Sequence, residues 1–146
     1  MEILNRKAKF EYQFLQKIEA GMALVGTEVK SLRAGEANLG DAWCIFQGDE
    51  LFLKNMYIAH YRHGPAVQHE TRASRKLLLK AAELKKLKRK VNEKGLTIIP
   101  LRVYFSDSGF AKCEIALAQG KRSFDKRQTI KDRDVKRDLA RIKKSG

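Results

Sequence analysis

The chain has 146 residues, with 31 Lys and Arg against 17 Asp and Glu, a net charge of +14. An apolar fraction of 43% supports a globular core, while no apolar run approaches the roughly 20 residues that cross a bilayer. Met1–Phe10 is polar and has no secretory apolar stretch, so export is not expected and the cytoplasm is the expected location.

The charge is concentrated. Residues 121–146 hold eleven Lys/Arg against four Asp, net +7, and residues 72–94 hold ten against two Glu, net +8; the remainder sums to −1. Clustered cations outside a core are the footprint of a polyanion partner, although a merely solubilising surface is also basic. The expected organisation is one domain over residues 1–120 and a basic tail over residues 121–146. Cys44 and Cys113 lie far apart in apolar-alternating contexts and read as reduced, buried thiols, with no close second ligand for a metal.

In chain order, Phe10–Ile18 reads as a strand, Glu19–Gly21 as a turn and Met22–Val25 as a short strand ended by Gly26. Thr27 is placed to cap a short helix, Glu28–Arg33, that Gly35 stops. Ala42–Phe46 and Leu51–Ile58 form a hairpin, and Tyr61–Thr71 reads as a long loop. Leu77, Ala81, Leu84, Leu87 and Val91 recur at helical spacing, which predicts an amphipathic helix closed by Gly95. Thr97–Phe105 and Phe110–Leu117 flank Ser106–Gly109 as a second hairpin, with Pro100 marking an edge or a bulge. The expected fold is mainly β: an antiparallel barrel of about six strands, like an oligonucleotide-binding (OB) fold, with flanking helices. The tail has only Val135, Leu139 and Ile142 at helical spacing, too little to offset its ordering cost. It is expected to be disordered when free and helical on a partner.

No enzyme constellation is present. His60, His63 and His69 share one loop without a cysteine, no phosphate-cradling glycine loop occurs, and no serine sits in a nucleophile turn. An enzyme, a cofactor and a metal are therefore not expected. Three segments suit RNA. In G-T-E-V-K-S-L-R, Gly26–Arg33, the apolar Val29 and Leu32 face the core, and Glu28 would lie on the exposed side with Lys30, Ser31 and Arg33. A carboxylate there accepts from a base amine or holds an arginine, though a solvated helix with an internal ion pair gives the same pattern. In R-K-L-L-L-K, the leucines would anchor the helix start, with Lys76 and Lys80 one turn apart to grip phosphates beside Arg75, or simply to solubilise that face. In G-K-R-S-F-D-K-R, Phe124 is an aromatic among cations, placed to stack on a base or to tuck back onto the barrel.

Taken together, N-R-K-A (Asn5–Ala8), E-A-G (Glu19–Gly21), G-T-E-V-K-S-L-R, R-K-L-L-L (Arg75–Leu79), K-G-x-T (Lys94–Thr97) and D-K-R (Asp125–Arg127) occur in this order along nearly the whole chain. This set resembles the small protein B (SmpB) family of transfer-messenger RNA (tmRNA)-binding proteins. The resemblance implies an OB-like barrel that binds the tRNA-like domain of tmRNA and delivers it to stalled ribosomes for trans-translation. It also implies a monomer whose tail becomes helical in the empty mRNA path past the small-subunit decoding centre.

By resemblance, Glu28 matches a tmRNA-contacting glutamate, with Lys30, Ser31 and Arg33 beside it. Leu78 and Lys80 match a second contact, beside the Arg75 and Lys76 read above as phosphate partners. Lys80 stands where the family more often has His or Asn, and keeps a donor without an acceptor. Asp125, Lys126 and Arg127 match a tail motif required for tagging, with Lys131 and Arg133 as further tail cations. Phe124 stands where Tyr or His is usual and carries only the stacking function. H-E-T-R at His69–Arg72 departs from an Asn/Asp-Pro-Arg pattern. The alternative is a general ribosome-associated or single-strand RNA-binding barrel.

Overall fold

The structure, a computed structural model, describes residues 1–121. Nine strands and three helices follow in the order β1 (Glu2–Leu4), α1 (Ala8–Glu11), β2 (Tyr12–Met22), α2 (Gly26–Arg33), β3 (Ala37–Asn38), β4 (Trp43–Gln47), β5 (Glu50–Lys54), β6 (Tyr57–Ile58), β7 (Arg75–Leu78), α3 (Ala81–Lys94), β8 (Thr97–Phe105) and β9 (Ala111–Gly120). Six of the strands close a ring, β8-β4-β5-β7-β2-β9 and back to β8, and β1 adds outside it on β8. The expected barrel is therefore present. β3 and β6 form a separate two-stranded ribbon.

The barrel interior follows the period-2 alternation of its strands. Ala20 and Met22 of β2, Leu51 and Leu53 of β5, Leu77 of β7 and Cys113, Ile115 and Leu117 of β9 fill it, joined by Leu32 and Leu87 from the helices. Cys44 and Cys113 are buried and free. A second, smaller core lies outside the ring, where Ala8, Ile99, Leu101, Ala116 and Ala118 pack with Tyr12 and Phe14. A bulge in β2 between Phe14 and Gln16 makes this possible, since one extra residue reverses the faces of the strand's first half. Pro100 lies at a second irregularity, between Pro100 and Arg102 on β8. There the Asn5 amide donates to the Pro100 carbonyl at 2.8 Å.

Four sequence expectations are corrected here. Ala8–Glu11 is helical, and Tyr12–Met22 is one strand without a turn at Glu19–Gly21. Ala20 and Gly21 have poor strand propensity, but β7 and β9 pair with this segment from both sides and override it. Arg75–Leu78 is a strand, not a helix start; Leu77 fits a helical period by coincidence and enters the barrel at 1% exposure. The first hairpin's second arm ends at Lys54, because Asn55 turns with φ +66° and Tyr57–Ile58 leaves to pair with β3. The expected helix ends are present, with Gly35 and Gly95 at φ +77° and +64°, and the loop before β7 has no regular structure.

Candidate nucleic-acid interface

α2 starts one residue before the expected cap. Glu28 is its third residue and accepts the Val25 backbone N–H at 2.9 Å, satisfying one of the free donors of the first turn. Thr27 turns instead toward the loop, its hydroxyl 2.7 Å from His69 Nδ1. His69 Nε2 is 3.1 Å from the carbonyls of Ile58 and Ala59. Carbonyls only accept, so Nε2 carries the proton and the Thr27 hydroxyl donates to Nδ1.

Glu28 is buried, which corrects its placement on the exposed face. Its other oxygen takes the Arg75 Nε–H at 2.7 Å, and Arg75 is itself 2% exposed. The remaining Arg75 donors reach the carbonyls of Met56, Glu70 and Thr71. One guanidinium thus ties α2, the strand connection after β5 and the end of the long loop to β7. Ser31 is also fully buried, and so presents nothing to a partner from the folded surface. The side chains of Glu28, Ser31 and Arg75 are thus all buried.

Lys30 and Arg33 do face outward. Lys30 Nζ lies 5.6 Å from the Tyr61 ring centre. The Arg33 guanidinium lies 4.3 Å from that of Phe105, bridging α2 to the β8–β9 hairpin. Lys76 points out from β7 and pairs with Glu50 at 2.6 Å, with both side chains about half exposed. Lys80 is exposed at the N-terminal boundary of α3, where its backbone N–H donates to Glu83. Lys76 and Lys80 are therefore not successive cations of one helix. Phe124, Asp125, Lys126, Arg127, Lys131 and Arg133 lie outside the described residues.

The ring brings together a set that sequence spacing does not show. Leu78 is 49% exposed and sits in register with Gly21 of β2. Gly21 pairs on its other side with Lys112 of β9, and Lys112 with Tyr104 of β8. Two residues before Gly21 on the same face is Glu19, an exposed carboxylate that accepts the Tyr104 hydroxyl. Beyond Leu78 the backbone stays extended to Lys80. The outer wall of β7, β2 and β9 thus presents a half-exposed leucine, bare backbone at a glycine, one carboxylate and two lysines. That combination offers apolar contact, a base-edge acceptor and phosphate partners on one surface.

Glu19 and Gly21 escaped the sequence reading because E-A-G reads as a turn, and Lys112 because only the β2–β9 pairing brings it beside Gly21. A second cation group, Arg6, Lys7 and Lys9 around α1 with Lys17, was also missed. Lys121 Nζ donates to the Lys9 carbonyl at 2.9 Å, which places this last described residue beside α1. Charge counting hid this group among acids of the same neutral total. Among the described residues no cluster of three or more His, Cys, Asp or Glu could hold a metal ion, and no helix is long and apolar enough to cross a membrane.

Known proteins share this sequence pattern and fold. A family model described as "SmpB protein" matches residues 2–145. The SsrA-binding protein of Flavobacterium psychrophilum is 55% identical over 144 residues, covering 99% of this chain and 96% of its own length. That of Salinispora tropica is 54% identical over 137 residues, covering 94% and 86%. A solved structure described as "tmRNA-SmpB: a journey to the center of the bacterial ribosome" contains a chain that is 45% identical, with a TM-score of 0.72 and coverage of 94% of this chain and 96% of that one. With a match that spans the barrel and the basic residues beyond it alike, this chain belongs to the SmpB family.

Proposed function

We propose that this protein is an RNA-binding adaptor of trans-translation: it binds the tRNA-like domain of tmRNA and brings it to stalled ribosomes in the cytoplasm, acting as a monomer and catalysing no reaction itself. The observation that carries this reading is the Gly21–Leu78 pairing on the outer barrel wall, which holds a half-exposed leucine against bare backbone between Glu19, Lys80 and Lys112. Glu19 supplies the acceptor expected of Glu28, while Glu28 and Arg75 position α2 and the loop from inside. Lys30 and Arg33 extend the cationic surface at the α2 end of the barrel.

In this reading residues 1–120 bind tmRNA, and residues 121–146 enter the mRNA path near the small-subunit decoding centre. Phe124 stacks there, Asp125, Lys126 and Arg127 carry the tagging function, and Lys131 and Arg133 hold ribosomal RNA phosphates. Membership of the SmpB family and the position of Lys121 beside the cations of α1 support this division.

The test is to recover the protein from its host's lysate and sequence the bound RNA, then titrate that RNA against salt. One dominant tRNA-like RNA is expected, with a log–log salt slope near −4 to −7 if about 5–8 phosphates are neutralised. A broad mixture of RNAs would favour the general RNA-binding barrel, and a slope near zero would remove the phosphate contacts.

A further inference from the structure

The ring has one thin seam. β4 pairs with β8 only through Cys44 and Ile98. Beside that single pair lies a cleft of about 360 Å³, with Trp43, Ile45, Val91, Asn92 and Leu96 in its walls. Trp43 and Ile45 are 48% and 46% exposed, on the strand face turned away from the barrel interior. Exposed Trp and Ile side by side cost solubility and do nothing for the core, so their position asks for a ligand.

From this we infer a second RNA site: the cleft between β4 and the C-terminal half of α3 takes one unpaired nucleobase of the same tmRNA. The inference rests on the tmRNA reading above. Trp43 and Ile45 give the base a flat apolar wall, and the Asn92 amide offers both a donor and an acceptor to its edge. The surroundings are cationic. Residues 80–94 hold seven Lys/Arg against two Glu, net +5. Arg89 is exposed one turn before Asn92, and Lys54 is the cross-strand neighbour of Trp43. These suit the phosphates on either side of a base.

Continuity selects tmRNA as the source. Ile45 is in register with Phe52, and Phe52 with Lys76, two residues before Leu78. An apolar and cationic strip thus runs along the outside of the barrel from the cleft to the Gly21–Leu78 wall. An added peptide strand fits poorly, because α3 lies across the far end of β4: Lys88 donates to the Gly48 carbonyl at 2.7 Å and to Asp49 at 3.1 Å, at the β4–β5 turn.

Trp43 is the chain's one tryptophan, so its fluorescence reports on this cleft alone. The full chain is titrated with the tRNA-like domain of tmRNA, binding being followed in parallel by gel shift. Saturation is expected to quench Trp43 and shield it from acrylamide. Ile45→Ser and Asn92→Ala should each weaken binding about tenfold with an unchanged melting temperature, and Trp43→Phe less, because a ring remains. If the gel shift saturates while Trp43 stays as open to acrylamide as in the free protein, the cleft proposal is wrong and the tmRNA reading stands. Shielding of Trp43 by raised protein concentration alone would make a second copy the occupant and overturn it. If neither the shift nor the quench occurs, both readings fall together.

Discussion

The Arg75 guanidinium and the Glu28 carboxylate meet at 2.7 Å, with their side chains only 2% and 5% exposed. A pair this deep is expensive to desolvate, and it persists because both groups are further hydrogen-bonded: the arginine donates to three loop carbonyls, and the glutamate accepts the Val25 N–H. Removing one partner leaves the other charge buried alone. Arg75→Met is expected to lower stability by about 3–5 kcal/mol in urea unfolding, and adding Glu28→Leu to restore part of that loss. The Arg75→Met protein should also lose amide protection across the long loop. If hydrogen exchange there is unchanged, the loop is held by something else.

Gly21 is open enough to accept a side chain, since an added Cβ would sit 3.4 Å from the Cβ of Leu78. Gly21→Val should therefore fold, with a melting temperature within a few degrees of the parent. It should nevertheless bind tmRNA at least tenfold more weakly, because the new methyls cover the bare backbone beside Leu78. Glu19→Ala should weaken binding by roughly 1–3 kcal/mol, the range of a lost base contact, despite removing a negative charge. A calorimetric titration showing unchanged or tighter binding for both variants would move the RNA off this wall.

The two thiols give an alkaline limit to stability. Burial, then the charge of Glu114, pushes Cys113 up from 9.0 to about 12, and burial also pushes Cys44 well up. Unfolded thiols release their protons near pH 9 while the folded ones keep them. The contribution is thus complete below pH 9 and is lost as pH rises toward 12. The urea midpoint should fall between pH 8 and pH 10, less steeply in Cys113→Val. Native protein should resist a thiol reagent at pH 8 and react at both cysteines once unfolded. Fast labelling of the native state would contradict this.

Cutting the chain after Lys121 removes the remaining 25 residues with their net +6 and keeps every described strand. The melting temperature and tmRNA affinity should change little, while peptide tagging in a reconstituted translation system should fail. The triple substitution Asp125→Ala, Lys126→Ala and Arg127→Ala should give the same separation. Tagging by the shortened protein, or a collapse of its tmRNA affinity, would mean that barrel and tail do not divide the work in this way.

Turn chemistry and alternation were readable where one element decided its own form. Ser106–Gly109 between two apolar runs gives the β8–β9 hairpin, Gly35 and Gly95 give the helix ends, and Pro100 gives the bulge. The misreadings share a cause: the partner strand decided. Ala20 and Gly21 look like a turn until β7 and β9 pair with them, and Arg75–Leu78 looks helical until β5 and β2 take it between them. The same limit applies at the site. Glu28 among Lys30, Ser31 and Arg33 suggests an exposed charged face, and only the arrival of Arg75, 47 residues later, makes it a buried pair. Leu78 and Lys80 are expected at the site from the family resemblance, whereas their neighbours Glu19 and Lys112 come from strands at the two ends of the barrel sequence.

β8 pairs with β1, β4 and β9, and its partners lie at both extremes of the described chain: Glu2 opposite Tyr104, and Phe105 opposite Ala111. β2 closes against β9 across a similar span, Tyr12 opposite Gly120. Only two of the six pairings of the ring can therefore form by local zippering. The β4–β5 and β8–β9 hairpins are the early candidates, and everything else waits for loops of tens of residues to close. The expected kinetics are those of a slow, non-local β protein, with β2 left as an unpaired edge until β9 has been synthesised.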